Sequence, residues 1–299
     1  MASHGFFVGK GGVGKSTTSA LSALALARNG RSVLLVSLDP AHNLADIFDA
    51  RLDRKPVQVR PGLLAAQSDQ KYWTDEYLKG VENQIKRTYT YQAAFNLQGH
   101  LNILRHSPGI EEYAMVLAFN HYRRKHADAD YVFFDMPPTA LTMKFFSLPS
   151  LSLTWLEHLT SLRDEIVRKK EMVTRIQLGS KTVHRDKIGN KLREQVETYT
   201  VLRDLFQDAS ACKVRLVLNP EKLSRAEAAR IRDTMADLGM APASVVVNKC
   251  GPDDDADVSD IFPGVPARAM PVACRPLTDA AALDEYLDAD PDLAAFLAS

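Results

Sequence analysis

Short apolar runs recur along the chain, and stretches with helical spacing of apolar residues separate most of them. The runs lie at residues 5–9, 32–39, 101–106, 131–137, 214–219, 244–249 and 267–272. Strands that alternate with helices pair in parallel through crossover connections, so that helices cover both faces of the sheet. The pattern predicts an α/β fold with a mostly parallel, doubly wound sheet.

One stretch breaks this alternation, because no run between residues 151 and 208 reads as a strand. Apolar residues recur there at spacings of three and four, which indicate one face of an amphipathic helix. They are Leu192, Val196, Tyr199, Leu202 and Phe206. We therefore expect residues 1–150 and 209–299 to form one sheet domain, and residues 151–208 to form a helical insertion subdomain.

The composition narrows the class of protein. Lys plus Arg and Asp plus Glu each number 37 in 299 residues, whereas nucleic-acid binders usually carry a basic surface. The 3 cysteines are too few for a disulfide framework and fit a reducing compartment. No run approaches the roughly 18 apolar residues of a membrane span, and the first residues lack a signal-peptide pattern. We expect a cytoplasmic protein that does not bind nucleic acid.

A glycine-rich stretch, GKGGVGKS at residues 9–16, follows the first apolar run and precedes a helical stretch. It matches the phosphate-binding pattern G-x-x-x-x-G-K-S/T in the structural context that the pattern requires. Backbone amides of such a loop surround phosphates, and the following helix adds its positive end. The loop residues expected to bind nucleotide are Gly11, Gly12, Val13, Gly14, Lys15, Ser16 and Thr17. Lys15 is expected to act on the β and γ phosphates during catalysis, and Ser16 to ligate Mg²⁺.

A second lysine, Lys10, gives the loop the form Lys-Gly-Gly-x-Gly-Lys-Ser. This form resembles the deviant Walker A motif of dimeric ATPases, and the further motifs below resemble its ArsA branch. That branch comprises the arsenical pump-driving ATPases and the tail-anchored-protein targeting ATPases. The resemblance implies a P-loop NTPase fold and a homodimer, in which Lys10 crosses the interface and neutralises transition-state charge on the partner's ATP.

Two further stretches resemble the switch segments of this family. SLDPAHNLADIF at residues 37–48 resembles switch I. There Asp39 ends a buried strand, where a carboxylate can orient and deprotonate the attacking water. VFFDMPPTALTMKFFSLP at residues 132–149 resembles switch II, which implies that Asp135 is the Walker B carboxylate and holds Mg²⁺ through water. SPGIEEY at residues 107–113 resembles a stretch that the family has between the switches.

Three C-terminal features extend the resemblance. The run VVVNK places Asn248 where the family uses an asparagine amide to read adenine. MPVACRP at residues 270–276, which includes Pro271, resembles the loop that closes over the base. Glu221 occupies the position of a family glutamate near the nucleotide.

The chain also departs from the family pattern. Ala140 and Leu141 stand where switch II of the family usually has Gly and His, so at these two positions the resemblance to switch II fails. No Cys-x-x-Cys pair is present, so we expect no structural zinc. The arsenical branch offers three cysteines to As(III) or Sb(III). We interpret Cys212, Cys250 and Cys274 as unrelated free thiols.

The sequence thus predicts a Mg²⁺-dependent ATPase whose hydrolysis cycle opens and closes two helical subdomains that act on a client. Residues 163–193 carry ten Lys or Arg against four Asp or Glu. Three alternatives stay open for this basic segment: contact with an acidic protein, contact with a membrane surface, or no contact at all. Two alternative functions also stay open. One is a nucleotide-gated chaperone or scaffold with negligible hydrolysis, and the other is the motor subunit of an arsenite or antimonite efflux pump.

Overall fold

A computed structural model describes residues 2–41, 43–88, 103–105, 107–178 and 187–299. The strands are β1 (Ser3–Val8), β2 (Val33–Ser37), β3 (Val57–Arg60), β4 (Leu63–Gln67), β5 (Tyr131–Asp135), β6 (Cys212–Leu218), β7 (Pro242–Cys250) and β8 (Ala267–Pro271). The helices are α1 (Lys15–Arg28), α2 (Asn43–Phe48), α3 (Gln70–Thr88), α4 (Ile110–Lys125), α5 (Thr139–Leu178), α6 (Lys187–Gln207), α7 (Lys222–Asp237), α8 (Ala280–Ala289) and α9 (Pro291–Leu297).

The strands form one sheet in the order β3-β4-β2-β5-β1-β6-β7-β8. Strands β3 and β4 pair antiparallel, and every other neighbouring pair in this sheet is parallel. The predicted α/β class and the mostly parallel sheet are therefore confirmed. The chain continues from β1 to β2 on one side and from β5 to β6 on the other, so the direction of the connections reverses between the adjacent strands β1 and β5. In open parallel sheets, ligands bind beyond the carboxyl ends of the strands at such a reversal.

Two neighbouring aromatic residues show how the sheet separates two cores. Phe6 faces one side and contacts Phe134 and Phe206, with ring centroids 5.2 and 6.0 Å away. Phe7 faces the opposite side and contacts Phe133, with ring centroids 5.3 Å apart. Because successive side chains alternate across a strand, the run FF supplies one ring to each core. Burial of one such side chain stabilises the fold by about 1.5–3 kcal/mol.

The prediction of a strand at residues 101–106 is wrong for the part of that run that the structure describes. Ile103 and Leu104 are helical and exposed, and Arg105 pairs with Asp75 at 2.5 Å. Strand β2 pairs with β4, and neither β3 nor β4 was predicted from the sequence. Residues 101, 102 and 106 lie outside the described residues.

The stretch expected to be a helical insertion, residues 151–208, is helical at residues 151–178 and 187–207, and Asp208 follows the second helix. Helix α5 begins earlier, at Thr139, so it connects the sheet directly to this stretch. On α6 the predicted apolar face is confirmed at Leu202 and Phe206, which are buried in the core. The division into a sheet domain and an insertion subdomain stays a prediction. Among the helices of the described residues, none is long and apolar enough to cross a membrane.

Candidate functional site

A cleft of 910 Å³ opens at the carboxyl ends of the parallel strands. The loop between β1 and α1 forms its floor, and the segment that follows β2 forms one wall. The segment after β8 forms the opposite wall. The predicted site residues that line the cleft are Gly11, Gly12, Gly14, Lys15, Ser16, Thr17, Asp39, Asn248 and Pro271.

Four other predicted residues lie outside this lining. The Val13 side chain is buried below the loop, and Asp135 lies beneath Ser16. Lys10 is exposed on the loop. Glu221 is exposed at the N-terminal end of α7, where its side chain makes no capping hydrogen bond. Its predicted proximity to the nucleotide stays a prediction.

Two loop positions accept only glycine. A Cβ atom on Gly9 would lie 2.1 Å from the Val217 carbonyl oxygen of the neighbouring strand. Gly14 has a φ of +96°, and a Cβ atom there would lie 2.1 Å from Asn248 Nδ2. The glycines therefore permit the loop to pass close to β6 and β7, and they leave its backbone amides accessible.

Ser16 and Asp135 form a buried pair below the loop. Ser16 Oγ donates to Asp135 Oδ2 at 2.7 Å, and Asp135 is fully buried at the end of β5. Burial raises the pKa of Asp135 to about 7, against the opposing effects of the Ser16 hydrogen bond and the Lys15 charge. Among the described residues, Asp135 Oδ1 has no hydrogen-bond partner. A hydroxyl beside a carboxylate with a spare oxygen suits Mg²⁺ and its bound waters.

Lys15 and Asp39 bring opposite charges to the cleft. Burial lowers the pKa of Lys15, and the nearby Asp135 and Asp39 carboxylates oppose this shift. The Lys15 ammonium donates to the Lys10 carbonyl at 3.2 Å. Asp39 Oδ1 accepts from the Ala41 amide at 3.0 Å, so this carboxylate also starts the turn before α2. The Lys15 ammonium is also a donor suited to the phosphate oxygens of a nucleotide in the cleft.

Asn248 directs its side chain to the phosphate loop. Its Nδ2 donates to the Val13 carbonyl at 2.7 Å, and its Oδ1 accepts from the Lys249 amide at 2.7 Å. The ammonium of Lys249 donates to the Gly12 carbonyl at 2.9 Å. Lys249 was not predicted as a site residue, although it directly follows Asn248 at the end of an apolar run. The contact of Asn248 with adenine stays a prediction.

The wall after β8 contains further residues that the sequence analysis missed. Tyr286 of α8 lines the cleft, and its hydroxyl donates to the Pro271 carbonyl at 2.6 Å. Arg275 also lines the cleft and donates to Glu285 at 2.8 Å. These contacts connect residues 270–276, the loop predicted to close over the base, to α8.

The three cysteines are free thiols in different surroundings. Cys212 begins β6 and is buried, and burial raises its pKa to about 12. Cys250 is buried at the end of β7, while Cys274 is exposed and lines the cleft. Because β6 and β7 are parallel, Cys212 lies at the opposite edge of the sheet from Cys250. Within the described residues, no group of three or more His, Cys, Asp or Glu could hold a metal ion.

Comparison with known proteins places this site in a family. A sequence model of the anion-transporting ATPase family ArsA matches residues 4–264. Arsenical pump-driving ATPase 2 from Aquifex aeolicus is 31% identical over 84% of this chain and 81% of its own length. An ATPase ASNA1 homolog from Entamoeba histolytica is 30% identical over 84% of this chain and 77% of its own length. ATPase GET3C from Arabidopsis thaliana is 27% identical over 83% of this chain and 67% of its own length. The chain therefore belongs to the ArsA family of anion-transporting ATPases and is an ATPase.

Proposed function

We propose that the chain is a Mg²⁺-dependent, homodimeric ATPase that couples hydrolysis to movement of its long helices against a client. The hydrogen bond between Ser16 and Asp135 carries the metal-dependent part of this proposal. It places a hydroxyl and a buried carboxylate below a loop that has the form of a phosphate site. Lys15 and Asp39 line the same cleft, so groups for binding and for water activation converge there.

The residues divide the chemistry among them. Ser16 would hold Mg²⁺ directly and Asp135 would hold it through water, and the ion would supply positive charge to the phosphates. Lys15 and the loop amides bind and orient the β and γ phosphates. Asp39 accepts a proton from the attacking water, a role that typically accelerates a reaction by about 10²–10⁴-fold.

The homodimer is supported by the position of Lys10. Its side chain is exposed on the phosphate loop, while its carbonyl accepts from Lys15. The ammonium is thus free to reach beyond its own subunit, as the family resemblance implies. A charge supplied in this way from a partner is worth about 10³–10⁵ in rate.

Coupling to a client is supported by helix α5. This helix begins at Thr139, shortly after Asp135, and the Thr142 hydroxyl donates to the Pro137 carbonyl at 2.6 Å. A change at the phosphates can therefore shift the start of a helix of 40 residues. Further along it, exposed apolar residues recur on one face, a surface suited to a partner. They are Leu151, Trp155, Leu162 and Ile166.

Two measurements test the proposal. Phosphate release from ATP is measured with Mg²⁺ and with a chelator, and we expect hydrolysis only with Mg²⁺. Asp39→Asn should lower turnover by about 10²–10⁴-fold while ATP still binds. Asp49→Asn, an exposed residue at the end of α2, is the matched control. ATP binding without measurable turnover would instead support the nucleotide-gated scaffold, and stimulation by antimonite that requires the cysteines would support the pump motor.

A further inference from the structure

Two neighbouring residues at the end of β7 hold two successive carbonyls of the phosphate loop. Lys249 Nζ donates to the Gly12 carbonyl at 2.9 Å, and Asn248 Nδ2 donates to the Val13 carbonyl at 2.7 Å. The two residues are also linked to each other, because the Lys249 amide donates to Asn248 Oδ1 at 2.7 Å. The end of β7 thus contacts the loop as one unit.

The backbone of β7 is distorted at this point. Asn248 pairs with Met270 and Cys250 pairs with Pro271, so Lys249 is an extra residue in a β-bulge. Its φ of +58° lies in the left-handed region, which is unfavourable for a residue with a Cβ atom. In a regular strand, neighbouring side chains point to opposite faces. The bulge is therefore what lets Asn248 and Lys249 reach the same loop.

These contacts determine how the loop amides are oriented. In a trans peptide unit the C=O and the following N–H point in opposite directions, and no cis peptide bond occurs in the described residues. Holding the Gly12 carbonyl directs the Val13 amide away from Lys249. Holding the Val13 carbonyl likewise directs the Gly14 amide away from Asn248. Successive amides that point the same way form an anion-binding nest.

We propose that Lys249 is a positioning residue for phosphate binding, which acts with Asn248 by fixing the orientation of the amides of Val13 and Gly14. The proposal rests on the proposed function of the cleft as an ATP site. A purely structural role explains the arrangement poorly. Lys249 is exposed, and hydrogen bonds of exposed lysines contribute little to folding stability. The unfavourable backbone conformation at Lys249 therefore serves the loop rather than the fold.

The experiment is calorimetric titration of the whole protein with MgADP and with Mg²⁺-tripolyphosphate, which has neither base nor ribose. Lys249→Met and Lys249→Gly should weaken binding of both probes by about threefold to tenfold, the range of one hydrogen bond. Lys249→Arg keeps the charge and the donor, so its affinity should stay within about twofold of the unmodified protein. Lys213→Met, at the opposite edge of the sheet, is the control and should bind as the unmodified protein does.

Lys249→Gly separates positioning from misfolding. Glycine adopts the left-handed conformation without strain, so the melting temperature of the Lys249→Gly variant should equal or exceed that of the unmodified protein. Weaker binding in a fold of undiminished stability supports the proposal. Unchanged affinity in Lys249→Met and Lys249→Gly overturns it. So does a loss confined to MgADP, which would mean contact with base or ribose, or a failure of Lys249→Arg to restore binding. If the unmodified protein binds neither probe, the proposed ATP site itself is wrong.

Discussion

The Ser16 hydroxyl donates to the Asp135 carboxylate at 2.7 Å and joins the first turn of α1 to the end of β5. The two residues are 119 positions apart in sequence. Parallel pairing of β1 with β5 places Phe7 opposite Asp135, so the loop that follows β1 passes over the carboxylate. The register of two central strands therefore brings the two residues of the proposed metal site together.

Asp135→Asn tests this pair. The amide keeps the shape and the hydrogen bond to Ser16, but it removes the negative charge that Mg²⁺-bound water would contact. We expect affinity for Mg²⁺ in the presence of ADP to fall by about 10–100-fold, as for other groups that contact a metal's ligands. Metal titration of the ADP complex measures this. The free energy of unfolding should not fall, because burial already disfavours the ionised carboxylate.

A matched control is Asp130→Asn, which removes a carboxylate that is about half exposed at the opposite edge of the sheet. Its affinity for Mg²⁺ should equal that of the unmodified protein. If Asp135→Asn binds Mg²⁺ as tightly as this control does, Asp135 does not support the metal.

Lys10→Ala tests whether the site is completed by a second subunit. Its turnover should fall by about 10³-fold or more with little change in ATP affinity, because the lost charge acts on the transition state. Mixing this variant with Asp39→Asn gives the sharper result. In a mixed dimer, the site with an intact Asp39 receives Lys10 from its partner, so random pairing should restore about a quarter of the activity. Turnover that stays at the level of the separate variants would place Lys10 in its own subunit's site.

The sequence predicted those parts of the molecule that depend on local pattern. The alternating apolar runs indicated the parallel sheet, and residues 9–16 indicated the phosphate loop with its flanking strand and helix. Strand β4, LLAAQ, was missed because two of its five residues are alanines, which favour strands weakly. Its place in the sheet comes from tertiary pairing with β2. The apolar pair Ile103 and Leu104 indicated a buried strand, but both side chains are exposed. A locally apolar sequence does not by itself determine burial.

The contacts that shape the site required the folded chain. Gly12 and Lys249 are separated by 237 positions, and a bulge whose left-handed residue is a lysine has no local sequence signal. The resemblance to the ArsA family did indicate Asn248, because the run VVVNK aligns this residue with an asparagine of the family motif. It did not indicate that the Asn248 amide would already be bonded to the loop.

Arg215 provides a test of stability that is separate from catalysis. This buried guanidinium donates to the hydroxyls of Ser244 and Ser22 and to the Leu297 carbonyl at 2.8–2.9 Å. Burial lowers its pKa to about 10, so it remains charged at neutral pH. Arg215→Met leaves these buried acceptors without a donor, and we expect a loss of about 2–4 kcal/mol in the free energy of unfolding.

Urea denaturation measures that loss, with Arg230→Met on the exposed face of α7 as the control. The control should change stability by at most about 1 kcal/mol. Affinity for ADP should not change in Arg215→Met, because Arg215 lies beside Ser244 near the amino end of β7, away from the cleft. A variant as stable as the control would mean that the C-terminal helix docks without the arginine.

The burial of His4 leads us to predict how the free energy of unfolding depends on pH. Its ring is buried on β1 and its Nδ1 donates to the Ala211 carbonyl at 3.1 Å, the assignment that suits a neutral imidazole. Burial lowers the pKa of His4, and the charge of Arg123 lowers it further. The unfolded chain therefore binds a proton at a higher pH than the folded chain does. Stability is lost as pH falls below about 6.5, by up to about 1.4 kcal/mol per pH unit, until the folded pKa is reached.

His4→Asn should remove this part of the pH dependence, because an asparagine amide can donate to the same carbonyl and does not titrate. Urea unfolding at about pH 7.5 and about pH 5.5 measures it, with the exposed His158→Asn as control. Between these two conditions the unmodified protein and the control should lose more stability than His4→Asn. Equal losses in all three would mean that His4 is protonated equally in the folded and unfolded chains, which its burial against the edge of Phe119 argues against.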